Sequence, residues 1–321
     1  MIDYLDFEKP AAALARSAAD LRAAGTPEAE SEADRLDERA GRMIADLYAR
    51  LTPWQRTQVA RHAHRPRFSA YVAGITSDFM PLSGDRAFAD DPAIIGGLAT
   101  IGDARVVLIG HEKGSDTQTR LSHNFGMGRP EGYRKAIRLM GLAARFGLPV
   151  VTLVDTAGAF PGIDAEARGQ AEAIARATEA CLALPVPMIA AIVGEGGSGG
   201  AVALAAGNRV LMFEHAIYSV ISPEGCASIL WRAPAKDAGG SATNQAALAA
   251  DAMKITAPDL LRLGVIDRIV PEPPGGAHRD PVQACANLKS AIVDELAGFA
   301  GHDATSLRAE RQRKFLAMGA L

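Results

Sequence analysis

Several things are scarce in this 321-residue chain, and each scarcity removes a class of protein. Its three cysteines, Cys181, Cys226 and Cys285, are odd in number and share no CxxC spacing, which argues against a disulfide framework or a zinc site. No apolar run approaches the roughly 18 residues that cross a bilayer. The opening MIDYLDFEKPAAALARSAADL is charged from its first residues, unlike a secretory signal, so a cytoplasmic location is the default expectation. Positive charge is not in excess. A net charge of −3 and a pI near 6.2 carry none of the basic footprint of a dedicated nucleic-acid binder, so any anionic ligand must be held by local groups. Internal repeats are absent as well.

What is present is a chain with 48% hydrophobic and 22% charged residues, enough to bury a large core. Residues 10–62 are rich in Ala, Arg, Glu and Leu and read as a helical N-terminal extension, so the chain divides into an extension over 1–65 and a main domain over 66–321. Thr52-Pro53-Trp54-Gln55 has the pattern of a capping box that starts a further helix. From Ala93 the short apolar runs AIIGGLATI, RVVLIGH, PVVTLVD, MIAAIVG, RVLMFE and VIDRIV alternate with helical patterns, which predicts an α/β core. One helix is expected over Glu131–Phe146, closed by Gly147 and Pro149, and a second over Ala165–Ala183. The segment 236–245 has the composition of a mobile surface loop, and the tail from Asp280 reads as one or two amphipathic helices.

The densest glycine cluster is VGEGGSGGAVAL, residues 193–204. Gly194, Gly196 and Gly199 spell a dinucleotide fingerprint with Glu214 at the ribose position, but only about eight residues remain before the next strand for a crossover helix that needs ten or more. Gly196-x-Ser198-x-Gly200 spells a nucleophile elbow, which would make Ser198 the nucleophile of a hydrolase with Glu214 or Asp267 and His215 or His278. A plain close-packed turn is a third possibility. The fourth uses the backbone: a helix starting at Gly199 or Gly200 leaves its first amides without partners, and DTAGAFPG, residues 155–162, supplies a second strand-end loop. Together the amides of Gly199, Gly200 and Ala201, with Gly158 and Ala159 opposite, would form an oxyanion hole.

The two glycine loops resemble those of the crotonase and ClpP superfamily. Further blocks, LDFEKP, GDRAFADDPAIIGGLA, NFGMGRPEGYRKAIRLM, GQAEAIAR, YSVISPEGCASILW, KITAPDLLRLGVID and EPPGGAHRDP, are similar to the carboxyltransferase α subunits of bacterial acetyl-CoA carboxylases over almost the whole chain. This resemblance implies a crotonase-like fold of repeated ββα units. It implies transfer of a carboxyl group from carboxybiotin on a biotin carboxyl carrier protein to acetyl-CoA, giving malonyl-CoA, the first committed step of fatty acid synthesis, within an ATP-dependent complex. A β subunit, bearing zinc, would complete the site in an α2β2 assembly, and this chain would hold the ureido oxygen of biotin and carry neither covalent biotin nor metal. A carboxyltransferase of another acyl-CoA is the nearest variant of that reading. Gly196, Gly197 and Phe160 are expected to line the substrate site. The family pattern has proline where this chain has Gly128 and Ala157, and tyrosine at Phe160.

Arg129 and Arg134 stand at the start of a helix and are candidates for a coenzyme A phosphate or an acid of the carrier protein, against the alternative of a solvated basic face. The segment before them, GSDTQTRLSH, is less basic than in the family. Ala252-Met253-Lys254-Ile255 is similar to a biotinylation sequence, but it follows a helical pattern where a biotinyl lysine needs a β-hairpin. RHAHRPR, with His62 and His64, lacks a partnering Cys or a ligand-spaced acid and reads as surface contacts.

Overall fold

The computed structural model describes residues 3–231 and 242–319. Helices come first, as the composition predicts: α1 (Lys9–Ala24) and α2 (Pro27–Tyr48) pack against each other, joined at Gly25. At α3 (Pro53–Ala60) Thr52 accepts the Gln55 amide while Gln55 accepts the Thr52 amide, so the capping box forms as its sequence spells it. α4 (Phe68–Ile75) buries Phe68, Tyr71 and Ile75 against the core.

The apolar runs then build one sheet. β1 (Asp78–Pro81), β2 (Ile94–Ile101) and β3 (Ala104–His111) are antiparallel neighbours. After α5 (Thr117–Ser122), α6 (Pro130–Phe146) ends at Gly147 in the left-handed region and returns the chain to β4 (Val150–Thr156), parallel to β3. α7 (Ile163–Ala167) and α8 (Gln170–Ala183) lead to β5 (Met188–Gly197), and α9 (Ser198–Ala205) leads to β6 (Arg209–Phe213). β7 (Ile217–Ser219), α10 (Pro223–Leu230), α11 (Ala242–Ala252), α12 (Ala257–Arg262), β8 (Arg268–Val270), α13 (Pro281–Gly298) and α14 (Ala304–Ala317) complete the described chain.

The strand order is β1-β2-β3-β4-β5-β6-β8, parallel from β3 onward, and in chain order both β2-β3-α5 and β6-β7-α10 read ββα. β4 and β5 are buried at every position, which is why they read as unbroken apolar runs and not as alternating strands. β5 is long enough to serve two partners: residues 189–192 pair β6, while Glu195, Gly196 and Gly197 pair β7. Between Val154 and Thr156 the β4–β5 register shifts, so the two strands part at Asp155 and open a cleft beyond their carboxyl ends.

Three expectations need correcting. The helix read over Ala165–Ala183 is two helices, because Gly169 sits at φ +82°, which no right-handed helix accommodates. In the loop read at 236–245, residues 236–241 lie outside the described residues and the last four begin α11. The RHAHRPR segment is surface only in part: His64 is exposed, as read, but His62, Arg65 and Arg67 are buried. Arg65 forms a bidentate pair with Glu272, at 2.6 and 2.9 Å, and both side chains are wholly buried. Burial alone would raise the Glu272 carboxyl, but Arg65 outweighs it and holds it at about 2. At the other end of the chain Arg311 of α14 donates to the carbonyls of Cys181, Leu184 and Val186, pinning the α8–β5 connection. The cysteines are free thiols, with Cys181 and Cys285 buried, and no described helix is long and apolar enough to cross a membrane.

Candidate active site at two glycine corners

The ends of β4 and β5 meet backbone to backbone. A Cβ added to Gly197 would lie 2.3 Å from the Ala157 carbonyl oxygen, and one added to Gly200 would lie 2.7 Å from the Ala159 nitrogen. Only hydrogen fits at those two positions. The corners thus form one wall of a cavity of about 720 Å³, to which Ala157, Gly158, Ala159, Phe160 and Ser198 contribute from the loops and Ile174 and Val220 contribute apolar surface.

The donors follow from helix position. Gly197 is the N-cap of α9, so Ser198, Gly199 and Gly200 are its first three residues, and their amides have no carbonyl of the preceding turn to bond. Ala201 is the fourth residue, the first whose amide closes onto the N-cap carbonyl, which removes it from the set of free donors. Across the cleft the Gly158 amide is held by Thr156 Oγ1 at 3.1 Å, while Thr156 donates to the Gly158 carbonyl at 2.7 Å. Gly158 is therefore a shaping residue and not a free donor. The Phe160 amide is likewise taken, by the Gly128 carbonyl at 3.0 Å. The Ser198 amide is taken by the pairing with β7, where Gly197 lies opposite Ser219 while the Glu195 and Tyr218 amides bond elsewhere, so the open set is Gly199 and Gly200, with the Ala159 amide packed against Gly200.

Ser198 has φ +57°, a left-handed conformation that costs a non-glycine residue roughly 1–2 kcal/mol. A strained serine at a strand-to-helix turn is what a nucleophile elbow requires, but the rest of that machinery is elsewhere. Among the described residues no histidine lines the cavity. His215 lies 3.1 Å from Arg56 and edge-on to Tyr48, His278 stacks on His62 with ring centres 3.8 Å apart, and Asp267 binds Lys314. The hydrolase reading has no base for its serine. The dinucleotide reading fails too, since α9 has eight residues and the Glu214 carboxylate, which does not line the cavity, accepts the Glu272 amide at 3.4 Å.

Charged groups stand behind the corners. Glu195, three residues before Ser198, lines the cavity and pairs with Arg61 at 2.6 Å and Lys113 at 3.6 Å. Arg61, at the end of α3, also pairs with Glu224 of α10 at 2.6 Å, so the helical extension places a cation on the cavity rim. Burial would raise Glu224, but Arg61 holds it below the usual carboxylate range. Asp155 occupies the gap where β4 and β5 part, accepting the Glu195 amide at 2.9 Å and pairing with Lys113 at 2.7 Å and Arg67 at 3.2 Å. Its burial favours the neutral acid, yet the two cations outweigh that and keep it ionised. His111 is buried, with its pKa driven down to about 4 by desolvation, and stays neutral.

The other site candidates are scattered. Phe160 is on the wall, with the Arg129 guanidinium 4.1 Å from its ring centre, and Arg129 is also paired with Asp164. Arg134 does not line the cavity: it pairs with Asp85 and Glu131 and donates to the Arg168 carbonyl, so each of its three nitrogens is engaged within the protein. Gly196 packs under Tyr218 and Gly197 against Ala157, so both shape the corner without touching the cavity. Lys254 sits in the turn between α11 and α12 at φ +53°, not on a hairpin. Arg61 and Glu224 escaped the sequence reading because their partners lie 134 and 163 residues away from Arg61, beyond any local signal. No cluster of three potential ligands for a metal exists among the described residues.

A family profile described as acetyl co-enzyme A carboxylase carboxyltransferase-like matches residues 4–319. Among curated proteins, the acetyl-coenzyme A carboxylase carboxyl transferase subunit alpha of Rhizorhabdus wittichii is 65% identical over 99% of this chain and 100% of its own length. The corresponding subunit of Zymomonas mobilis is 61% identical over 99% and 100%. Among solved structures, transcarboxylase 12S with methylmalonyl-coenzyme A bound aligns with a TM-score of 0.55 at 18% identity over 71% of this chain and 42% of that one. The beta subunit of geranyl-CoA carboxylase from P. aeruginosa aligns with a TM-score of 0.55 at 18% identity over 80% and 46%. The chain spans less than half the length of those two solved chains, and at that identity they share the fold alone.

Proposed function

This chain belongs to the acetyl co-enzyme A carboxylase carboxyltransferase family, as an alpha subunit with the crotonase-type fold, and from that premise we propose how its two corners work. The chain is a transferase that moves a carboxyl group from carboxybiotin, presented by a carrier protein, to acetyl-CoA. Carboxybiotin supplies the carboxyl group when bound. The α9 amides of Gly199 and Gly200 would donate to its ureido oxygen, and the wall formed by Ile174, Val220 and Phe160 would take the apolar faces of the ring.

The cavity fits such a group in shape and in chemistry. Its wall joins apolar side chains to unpartnered backbone donors, which suits a neutral cyclic urea that gains negative charge as its carboxyl group leaves. The donors cost no reorganisation at that moment, because the backbone contacts at Gly197 and Gly200 already hold them. Each would contribute on the order of 3 kcal/mol to stabilising that charge. The single observation that carries this reading is two free amides, of Gly199 and Gly200, at the head of α9 beside a cavity that no histidine lines among the described residues.

In this reading no side chain of the chain need act as base, and the acyl-CoA half of the site comes from a β subunit in an α2β2 assembly. The extension, residues 1–65, and the domain, residues 66–321, work together, since Arg61 reaches the rim of the cavity. The apolar Val220 is exposed on the cavity wall and offers a surface for that subunit. The test is malonyl-CoA decarboxylation in the presence of biotin by the chain alone and with its β partner. Activity should require both, and turnover by the isolated chain would overturn the shared site.

A further inference from the structure

Phe160, on the wall of the main cavity, is held both at its backbone and at its ring. Its amide donates to the Gly128 carbonyl at 3.0 Å, and its carbonyl accepts Gln170 Nε2 at 3.0 Å. The same Nε2 gives its other hydrogen to the Gly128 carbonyl at 2.8 Å. The Arg129 guanidinium covers the ring, 4.1 Å from its centre. We propose that Gln170 and Arg129 are positioning residues of the transfer: they fix Phe160 as a platform for the cyclic urea and so set how tightly the biotin group is bound. The proposal rests on the carboxyltransferase reading of the cavity.

Gln170 has the geometry of a clamp. It is the first residue of α8, 3% exposed, and follows the turn that Gly169 makes at φ +82°. It lines the cavity but gives both amide hydrogens to the wall, joining the turn before α6 to the loop between β4 and α7. Chemistry fixes its orientation, because the flipped carboxamide would set Oε1 against two carbonyl oxygens. That oxygen is thereby left buried without a partner. An unpaired buried acceptor lowers stability, and a side chain kept only for packing would carry no such group.

Arg129 does not line the cavity, so it reaches a ligand only through Phe160. Asp91, wholly buried, accepts its backbone amide at 2.7 Å, and Asp164 accepts from its guanidinium. A guanidinium anchored in this way over an aromatic face holds that face by cation–π attraction. Gly162 completes the seat, since a Cβ there would run into the ring. The other end of the loop is fixed separately, by Thr156 at the amide and carbonyl of Gly158. Loosening Phe160 therefore disturbs the platform and not the corner where Gly199 and Gly200 donate, and the effect falls on binding more than on the rate of transfer.

Calorimetric titration of the αβ assembly with biotin amide, carried through a double-mutant cycle, tests this. Phe160→Ala removes the platform and should weaken binding about tenfold; Gln170→Met should weaken it about fivefold and Arg129→Met about threefold. In the Phe160→Ala background neither should weaken it by more than about twofold further, because each acts through the ring. Malonyl-CoA decarboxylation should show the same split, with KM for biotin amide raised and kcat at saturation lowered by less than about threefold. Circular dichroism checks folding, and Arg129→Met, on a side chain 29% exposed, carries the cycle if Gln170→Met does not fold. Single variants with the parental Kd, effects that multiply in the double variants, or a kcat that falls while Kd is unchanged overturn the proposal alone. A parent assembly that binds no biotin amide overturns the reading of the cavity, and the proposal with it.

Discussion

Replacing Gly200 by alanine should separate the two corners without removing any amide. The new methyl would lie 2.7 Å from the Ala159 nitrogen and the Gly158 carbonyl carbon, against the 3.4 Å at which ordinary contact begins. Both are backbone atoms, and Thr156 holds the Gly158 end at both its amide and its carbonyl, so relief requires a shift of about 0.7 Å between α9 and the 157–160 loop. A displacement near 1 Å in a positioned site costs about a hundredfold in rate, and overpacking costs about 1–3 kcal/mol of stability. The control is its neighbour. A methyl on Gly199 would meet only Ile174, at an ordinary 3.4 Å, and the residue is not at positive φ, so Gly199→Ala should stay within about threefold of the parent. The assay is kcat for malonyl-CoA decarboxylation in the αβ assembly, with circular dichroism to check folding. A folded Gly200→Ala with parental kcat, or a Gly199→Ala equally impaired, would refute the argument that close backbone contact sets the donors.

Other expectations concern Ser198, the buried ion pair and the histidine stack. Ser198→Ala should keep kcat within severalfold, because the hydroxyl takes no part in the transfer, whereas Ser198→Gly should raise stability in urea unfolding by about 1 kcal/mol through relief of the positive φ. Glu272→Ala leaves Arg65 buried without its partner and should cost about 3–5 kcal/mol in the same measurement. His278 is held at about 3 by burial and by His62, whose own pKa burial also depresses, so the folded state prefers both rings neutral. Their contribution is complete above the unfolded value near 6.5 and is lost as pH falls from there toward 3, so stability should drop by about 1–2 kcal/mol between pH 7 and 5. Glu272, held near 2, does not titrate in that window, and His278→Gln should flatten this limb in urea titrations across the pH range.

Much of the sheet was legible because fully buried parallel strands leave continuous apolar runs: AIIGGLATI, RVVLIGH, PVVTLVD and MIAAIVG each became a strand. Caps at Thr52 and Gly147 were legible for the same local reason. β1 and β7 were not, since strands of four and three residues carry too little periodicity, and β7 exists only because β5 extends past β6 to pair with it. The glycine corners could be located in sequence, but the role of each amide could not. Whether Gly158 donates to a ligand depends on Thr156 Oγ1, and whether Ala201 does depends on which residue caps α9. Long-range charge was hidden altogether: RHAHRPR reads as a surface patch until Glu195, Asp155 and Glu272 are brought to it.

The central claim is that main-chain donors at the start of α9 receive the oxygen on which negative charge develops. A structure of the αβ assembly with biotin bound measures this directly. The account predicts the ureido oxygen within about 3 Å of the Gly199 and Gly200 nitrogens. An oxygen held instead by side chains, or those two amides bonded to protein carbonyls, would contradict it.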